Sequence, residues 1–116
     1  MSAAEQIDFI SNHLGPKLEK ANISTKIISY DHNYDDTDYP IQVTAKAKRY
    51  IAGAGFHHYT SDIEDALLNY KSNGDCYDKG IWMTECGFGT WMGSEIDQFQ
   101  LQMRRLILTS RYWSKG

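Results

Sequence analysis

Three short runs of reactive side chains each follow an apolar, strand-forming stretch of this chain. They carry carboxylates, imidazoles, an amide, a phenol and a thiol, in the groups Asp31, His32 and Asn33, then His57, His58 and Tyr59, then Glu85 and Cys86. Because binding groups in parallel α/β sheets lie just beyond the carboxyl ends of the strands, the three runs are predicted to share one rim. One polar strand end is often only a structural cap, but three together indicate a binding or catalytic site.

Glu85 is the strongest candidate for a catalytic group. It follows the apolar run 81–83 and precedes a glycine-bearing loop over 86–91. A carboxylate in that position could act as a nucleophile or as a general acid/base. The simpler interpretation is a salt-bridged glutamate that closes the top of the sheet.

Aromatic residues near Glu85 indicate a carbohydrate ligand. Tyr59, Phe88 and Trp91 could form a platform under the apolar face of a sugar ring, because aromatic rings offer large and rigid contact areas. Ordinary packing beneath the loop is the alternative, and for Phe88 we favour that alternative.

A metal site is a weaker hypothesis. Five residues of the rim have side chains that could bind a metal ion: Asp31, His32, His57, His58 and Glu85. Adjacent residues of a strand point to opposite faces, so His57 and His58 cannot easily share one ion. The chain has no His-x-His or His-Glu-x-x-His pattern. We therefore predict no metal and no cofactor, with a small metal-dependent hydrolase kept as an alternative.

The elements that position these residues alternate along the chain as α-β-α-β-α-β-α, which implies a parallel sheet with right-handed crossovers. The strands are predicted over 26–30, 52–59 and 80–84. The helices are predicted to begin at a capping box over 2–5, at Asp38 before Pro40, and at capping boxes over 61–64 and 94–97. The helix that begins at Asp38 is predicted to run to Ile51.

Several local patterns predict details of these elements. Gly15-Pro16 predicts a break or kink in the first helix, with Pro16 opening a further turn. The polar run 31–33 predicts a loop, and Gly53 and Gly55 predict close approach by packed helices. The last helix is predicted to bury a face formed by Ile96, Phe99, Met103, Leu106 and Ile107.

The composition of the chain excludes several classes of function. The chain has 116 residues, with 12 Lys and Arg against 15 Asp and Glu and a formal net charge of −3. No basic stripe is available for phosphate groups, so nucleic acid is not expected as a partner. No apolar run is long enough to span a membrane, and residues 1–5 lack the pattern of a signal peptide. Cys76 and Cys86 flank the third strand at opposite ends, so both are predicted to be free thiols, and the compartment stays open.

Four stretches resemble, in this order, glycoside hydrolase family 30, which includes glucosylceramidases and microbial β-glucanases. They are His13-Leu14-Gly15-Pro16, Tyr30-Asp31-His32-Asn33, Gly55-Phe56-His57-His58-Tyr59 and Trp82-Met83-Thr84-Glu85-Cys86. The closing run 112–116 is similar to the approach to the family's eighth strand. The resemblance covers essentially the whole chain, and its Phe-His-x-Tyr and Thr-Glu-Cys motifs are fairly specific.

The resemblance implies a partial (β/α)8 barrel, because a complete one needs about 250 residues. Residues 1–116 would be one segment carrying strands five to seven and their helices. Glu85 would be the catalytic nucleophile, and His57 and Tyr59 would orient it and line the sugar site. Asp31 and Asn33 would bind substrate at the rim, as would Trp91 in the following loop.

The family's acid/base glutamate lies in an Asn-Glu-Pro motif, which this sequence lacks. We therefore expect a segment of a retaining β-glycosidase, resembling glucosylceramidase, that is inactive alone. The expected substrate is a β-glycoside or a glycolipid, and the missing half of the barrel or self-association would cover the open sheet edges. A carbohydrate-binding module without chemistry is the second alternative.

Overall fold

A computed structural model describes residues 1–59, 63–87 and 93–113 of the chain. The elements run in the order α1 (Ala3–Asp8), a π-helical segment (Phe9–Leu14), α2 (Gly15–Lys20), β1 (Ile27–Asn33), α3 (Asp38–Lys46), β2 (Ile51–His57), α4 (Ile63–Ser72), β3 (Gly80–Glu85) and α5 (Glu95–Trp113). The strands form one parallel sheet in the order β1-β2-β3. The predicted α/β class, with three parallel strands and flanking helices, is confirmed.

The first helix begins at the predicted capping box. The Ser2 backbone N–H donates to the Glu5 carboxylate at 2.7 Å, and the Glu5 N–H donates back to the Ser2 hydroxyl at 3.3 Å. At Gly15-Pro16 the regular helix is interrupted, and Pro16 opens a further helical segment, α2, as predicted; it runs to Lys20. A π-helical turn precedes Pro16, which lies in the first turn of α2, where a missing N–H is tolerated. Gly15 is required there because a Cβ would lie 2.4 Å from the Tyr50 ring.

Two clusters of buried side chains support the sheet. The larger one packs α4 and the residues after it on β2 and β3, and it includes Tyr34, Phe56, Leu67, Tyr70 and Ile81. The smaller one packs the π-helical segment against α3 and β2, through Ile10, Val43, Ala47 and Ile51. Burial of these side chains fixes the strand ends relative to one another.

Two predicted element ends differ in the structure. The helix predicted to run to Ile51 ends at Lys46, and Ile51 is instead the buried first residue of β2. The run 31–33 is part of β1 rather than a loop. Of the predicted capping box over 61–64, residues 61 and 62 lie outside the described part of the chain.

The two glycines of β2 make room for neighbouring strands, not for helices as predicted. A Cβ on Gly53 would lie 1.9 Å from the Gly80 carbonyl oxygen of β3. A Cβ on Gly55 would lie 3.0 Å from the Thr84 methyl group and 3.4 Å from that of Ile28. Glycine is therefore a requirement of the close fit between β2 and its partners.

The predicted buried face of the last helix is wrong. Ser94 and Asp97 do form the predicted cap, since the Ser94 hydroxyl donates to the Asp97 carboxylate at 2.6 Å and the Asp97 N–H donates back at 3.3 Å. The five residues of the predicted inner face are all exposed, at 42–70%: Ile96, Phe99, Met103, Leu106 and Ile107. The inward side carries the buried Arg105 and the partly buried Leu108, which packs on the larger core cluster. We call the five exposed residues the α5 stripe.

Candidate active site

The last residues of the three strands lie side by side at one rim. Asn33 pairs with His57, and His57 pairs with Glu85 on the opposite side. Because the strands are parallel, this register brings the predicted site residues of all three strands together at their carboxyl ends. The His58 N–H donates to the Glu85 carbonyl at 2.9 Å, so the ladder extends one residue beyond β2 and fixes the backbone of Glu85.

A β-bulge interrupts each strand that flanks β2 at this level. Asp31 is the extra residue in β1 between Tyr30 and His32, and Thr84 is the extra residue in β3 between Met83 and Glu85. Tyr30 and Asp31 have φ values of 76° and 60°, which non-glycine residues seldom adopt. A bulge re-aims side chains, and backbone in this region is typical of functional sites.

The two bulge residues meet above β2. The Thr84 hydroxyl donates to Asp31 Oδ1 at 2.5 Å, and His57 Nε2 lies 3.1 Å from the same oxygen. The hydrogen bond from Thr84, followed by the contact with His57, lowers the pKa of the Asp31 carboxyl below its usual range. Asp31 is therefore held as an anion beside the imidazole.

His57 and Tyr59 both approach the Glu85 carboxylate. His57 Nε2 lies 3.6 Å from Glu85 Oε1, and the Tyr59 hydroxyl donates to Glu85 Oε2 at 3.3 Å. The side chain of His57 is only 14% exposed, whereas Asp31 and Glu85 are 60% and 54% exposed. The imidazole is thus anchored in the sheet, and the two carboxylates face solvent where a ligand can reach them.

Tyr59 remains protonated in this setting. Loss of solvent contact and then the negative charge of Glu85 raise the pKa of the Tyr59 phenol. Its backbone N–H donates to the Asn33 side-chain oxygen at 3.3 Å, which ties the ends of β1 and β2 together. The phenol is therefore a hydrogen-bond donor to the carboxylate at neutral pH.

Sequence reasoning missed two residues of the site. Thr84 is a polar residue one position before Glu85, but only the bulge directs its hydroxyl to Asp31. Arg105 comes from α5 and donates to the Gly87 carbonyl at 3.2 Å, which holds the chain after Glu85. The spacing of Leu101, Arg105 and Leu108 defines a second face of α5 that could have signalled its role.

The remaining predicted residues do not all reach this site. His58 is buried, and its ring packs edge-on against Tyr34 at 5.3 Å. Trp91 and Phe88 lie outside the described residues. Both cysteines are free thiols as predicted, with Cys76 buried and Cys86 exposed.

Within the described ranges 1–59, 63–87 and 93–113, no group of three or more His, Cys, Asp or Glu side chains could hold a metal ion. In the same part of the chain, every helix is too short or too polar to cross a membrane.

Three parallel strands with flanking helices and a carboxylate rim define the class: the chain has the fold of part of a glycosidase barrel. It superposes over its whole length on a solved structure, the endo-β1,6-glucanase BT3312, with a TM-score of 0.84 and 32% identity. In sequence it is 37% identical over 86 residues to an endo-1,6-β-D-glucanase of Neurospora crassa and 36% identical over 95 residues to one of Trichoderma harzianum. No protein-family profile matches the chain.

These similarities cover much of this chain but little of each relative. The aligned parts make up 72% and 78% of this chain, but only 17% and 19% of the Neurospora and Trichoderma proteins, and the superposition covers 27% of the solved structure. The chain is homologous to a segment of endo-1,6-β-glucanases, which supports the predicted β-glycosidase class. The narrower prediction of a glucosylceramidase acting on a glycolipid receives no support.

Proposed function

We propose that this chain is the nucleophile-bearing segment of a retaining β-glycosidase of glycoside hydrolase family 30 that cleaves β-1,6-glucan. It would correspond to strands five to seven of the barrel. The observation that supports the proposal most strongly is the position of Glu85 at the end of β3. There His57 contacts one of its carboxylate oxygens and Tyr59 contacts the other. The glucanase relatives support β-1,6-glucan, rather than a glycolipid, as the substrate.

In this proposal Glu85 attacks the anomeric carbon of a glucosyl unit as the glycosidic C–O bond breaks. A second carboxyl group gives its proton to the leaving oxygen, and water later hydrolyses the glycosyl ester while returning a proton to that group. His57 and Tyr59 orient the attacking carboxylate. Asp31, Asn33 and Trp91 bind sugar hydroxyl groups or ring faces around it.

Asp31 is a poor candidate for the second carboxyl group. A general acid needs a raised pKa, whereas the hydrogen bond from Thr84 lowers the pKa of Asp31. We therefore assign the acid/base role to a residue outside these 116, and we expect the chain alone not to hydrolyse β-1,6-glucan. A complete barrel that contains the second carboxyl group is expected to hydrolyse the glucan.

A chimaera tests the proposal. The matching segment of the Trichoderma harzianum glucanase is replaced by this chain, and hydrolysis of a linear β-1,6-glucan is measured for the chimaera and for the chain alone. We expect activity only in the chimaera. Glu85→Gln should lower its kcat by at least about a thousandfold, because the nucleophile is lost.

Glu95→Gln is the matched control, since Glu95 is exposed at the start of α5 and should leave kcat unchanged. A chimaera whose activity survives Glu85→Gln, or hydrolysis by the chain alone, would contradict the proposal. Hydrolysis of glucosylceramide in preference to the glucan would contradict the substrate assignment.

A further inference from the structure

Arg105 is a cation buried on the inward side of α5. It is 5% exposed and lies one turn before the partly buried Leu108, which packs on the larger core cluster. Burial of a guanidinium group costs free energy unless hydrogen bonds replace the lost water. An apolar side chain at this position would avoid that cost, so the packing of the helix alone gives no reason for an arginine.

Arg105 holds the segment that follows Glu85. Its Nη1 atom donates to the Gly87 carbonyl oxygen at 3.2 Å. Two residues earlier, the Glu85 carbonyl oxygen accepts from the His58 backbone N–H at 2.9 Å. The segment 85–87 is therefore bound from two sides, by the continuation of β2 at its start and by α5 at its end.

The Gly87 backbone packs against the Tyr59 ring. A Cβ on Gly87 would lie 2.9 Å from Tyr59 Cε1 and 3.3 Å from the Tyr59 hydroxyl oxygen, so a larger residue would require the ring to shift. The same hydroxyl donates to Glu85 Oε2 at 3.3 Å. The position of Gly87 therefore limits where the Tyr59 hydroxyl can lie relative to the Glu85 carboxylate.

The charge of Arg105 also reaches Tyr59 through space. Loss of solvent contact and then the negative charge of Glu85 raise the pKa of the Tyr59 phenol, while the positive charge of Arg105 acts in the opposite direction. This proximity agrees with the hydrogen bond to Gly87, because the guanidinium group, the Gly87 backbone and the Tyr59 ring are then neighbours.

We propose that Arg105 is a positioning residue for the nucleophile. It fixes Gly87 against the Tyr59 ring, and Tyr59 then holds the Glu85 carboxylate in the orientation needed to attack the anomeric carbon. The inference rests on the proposed function, because it concerns the step that Glu85 carries out. Arg105 touches no reacting atom, and α5 contributes to the reaction from outside the sheet.

The rate of attack by Glu85 tests the inference in the glucanase chimaera. An aryl 2-deoxy-2-fluoro-β-glucoside releases one dinitrophenolate per active site as a Glu85 oxygen bonds to the anomeric carbon, and the leaving group departs with the electron pair of the broken bond. The size of this burst counts the folded sites, and its rate constant reports the attack. Arg105→Met should lower the rate constant by at least about tenfold, because a misplaced nucleophile attacks slowly, and leave the burst size unchanged.

Arg104→Met is the matched control, since Arg104 is exposed and precedes Arg105 on the same helix, and it should leave the rate constant unchanged. Gly87→Ala is a second variant, and it decides the question if Arg105→Met does not fold. The added methyl group displaces the Tyr59 ring, so the rate constant should fall to a similar extent.

A double-mutant cycle with Tyr59→Phe shows whether Arg105 acts through Tyr59. Tyr59→Phe removes the hydroxyl group that meets Glu85, and Arg105→Met should then cause a further loss of less than about twofold. A merely structural role of Arg105 would reduce the burst size and leave the rate constant unchanged.

The outcomes separate the role of Arg105 from the proposed function. An unchanged rate constant in Arg105→Met or in Gly87→Ala, or losses that multiply with that of Tyr59→Phe, would overturn the positioning role and leave the proposed function standing. Absence of a burst in the wild-type chimaera would contradict both.

Discussion

At the scale of single residues, the proposed reaction depends on how Glu85 is held as well as on its presence. Glu85 contacts His57, His57 contacts Asp31, and Asp31 accepts from Thr84. Each of these contacts joins an exposed carboxylate, that of Glu85 or Asp31, to a side chain of the sheet. In the proposed reaction Thr84 touches no reacting atom, and we infer that it positions Glu85 through Asp31 and His57.

Thr84→Val removes the hydroxyl group and keeps the side chain's shape. Because the hydrogen bond from Thr84 lowers the pKa of Asp31, the variant should raise that pKa toward its usual value of 3.8. Carboxyl carbon titration by NMR measures the change, and Thr84→Ser should retain the low pKa. An unchanged Asp31 titration in Thr84→Val would contradict the link.

The same variant has a pH-dependent effect on stability. A lowered pKa in the folded state stabilises the fold above pH 3.8, and this contribution is lost as pH falls through the lower folded value. The difference in unfolding free energy between wild type and Thr84→Val should therefore be present at neutral pH and disappear in acid. We expect it to stay below about 1 kcal/mol, because the pair is exposed.

At the scale of elements, the sheet requires close contact between its strands. The Gly53 backbone approaches Gly80 so closely that a Cβ would overlap the carbonyl oxygen. Gly55 leaves space for the Thr84 side chain in the same way. These contacts fix the register that aligns Asn33, His57 and Glu85.

Gly53→Ala should destabilise the chain by about 3 kcal/mol or more, since the strands would have to move apart. Urea unfolding measures the loss. Gly74→Ala is the control, because Gly74 lies in a turn with no atom within 4 Å of an added Cβ, and it should change the unfolding free energy by less than about 0.5 kcal/mol. Similar losses in both variants would contradict the strand-packing argument.

The element order and the parallel sheet were predictable because apolar runs and capping residues alternate clearly along the chain. The bulges were not, because Asp31 and Asn33 are polar residues typical of loops, and only the neighbouring strand holds them in extended pairing. The spacing of apolar residues could not show which face of α5 is buried. That helix carries two candidate faces, and the inward one includes a charged residue, Arg105, whose burial depends on the Gly87 carbonyl.

The candidate site was predictable in outline, from polar residues at three strand ends. Its inner contacts were not, since the hydroxyl of Thr84 reaches Asp31 across a sequence separation of 53 residues.

At the scale of the whole molecule, the chain presents apolar surface and an open sheet. β1 and β3 are the outer strands of the described sheet, and the α5 stripe exposes five large apolar side chains. Surfaces of this kind promote association. We propose that residues 1–116 form one folding unit that self-associates unless other protein covers these surfaces.

Sedimentation velocity tests this proposal, and we expect the weight-average mass to rise with concentration. Phe99→Lys combined with Leu106→Lys should reduce the association, because it places charges in the α5 stripe. Gln100→Lys is the control on the same helix, because it adds a lysine at an exposed polar position outside the α5 stripe. A wild-type chain that stays monomeric would contradict the proposal.

The covalent bond that Glu85 is proposed to form with glucose can be trapped and located by mass spectrometry. An aryl 2-deoxy-2-fluoro-β-glucoside with a dinitrophenolate leaving group needs no acid to depart, and its fluorine slows hydrolysis of the glycosyl ester. Incubation with the chimaera, followed by proteolysis and mass spectrometry, should find the sugar on the peptide that contains Glu85 and no adduct in Glu85→Gln. Labelling of a different carboxylate, with Glu85 unmodified while the sugar is released, would show that Glu85 is not the nucleophile.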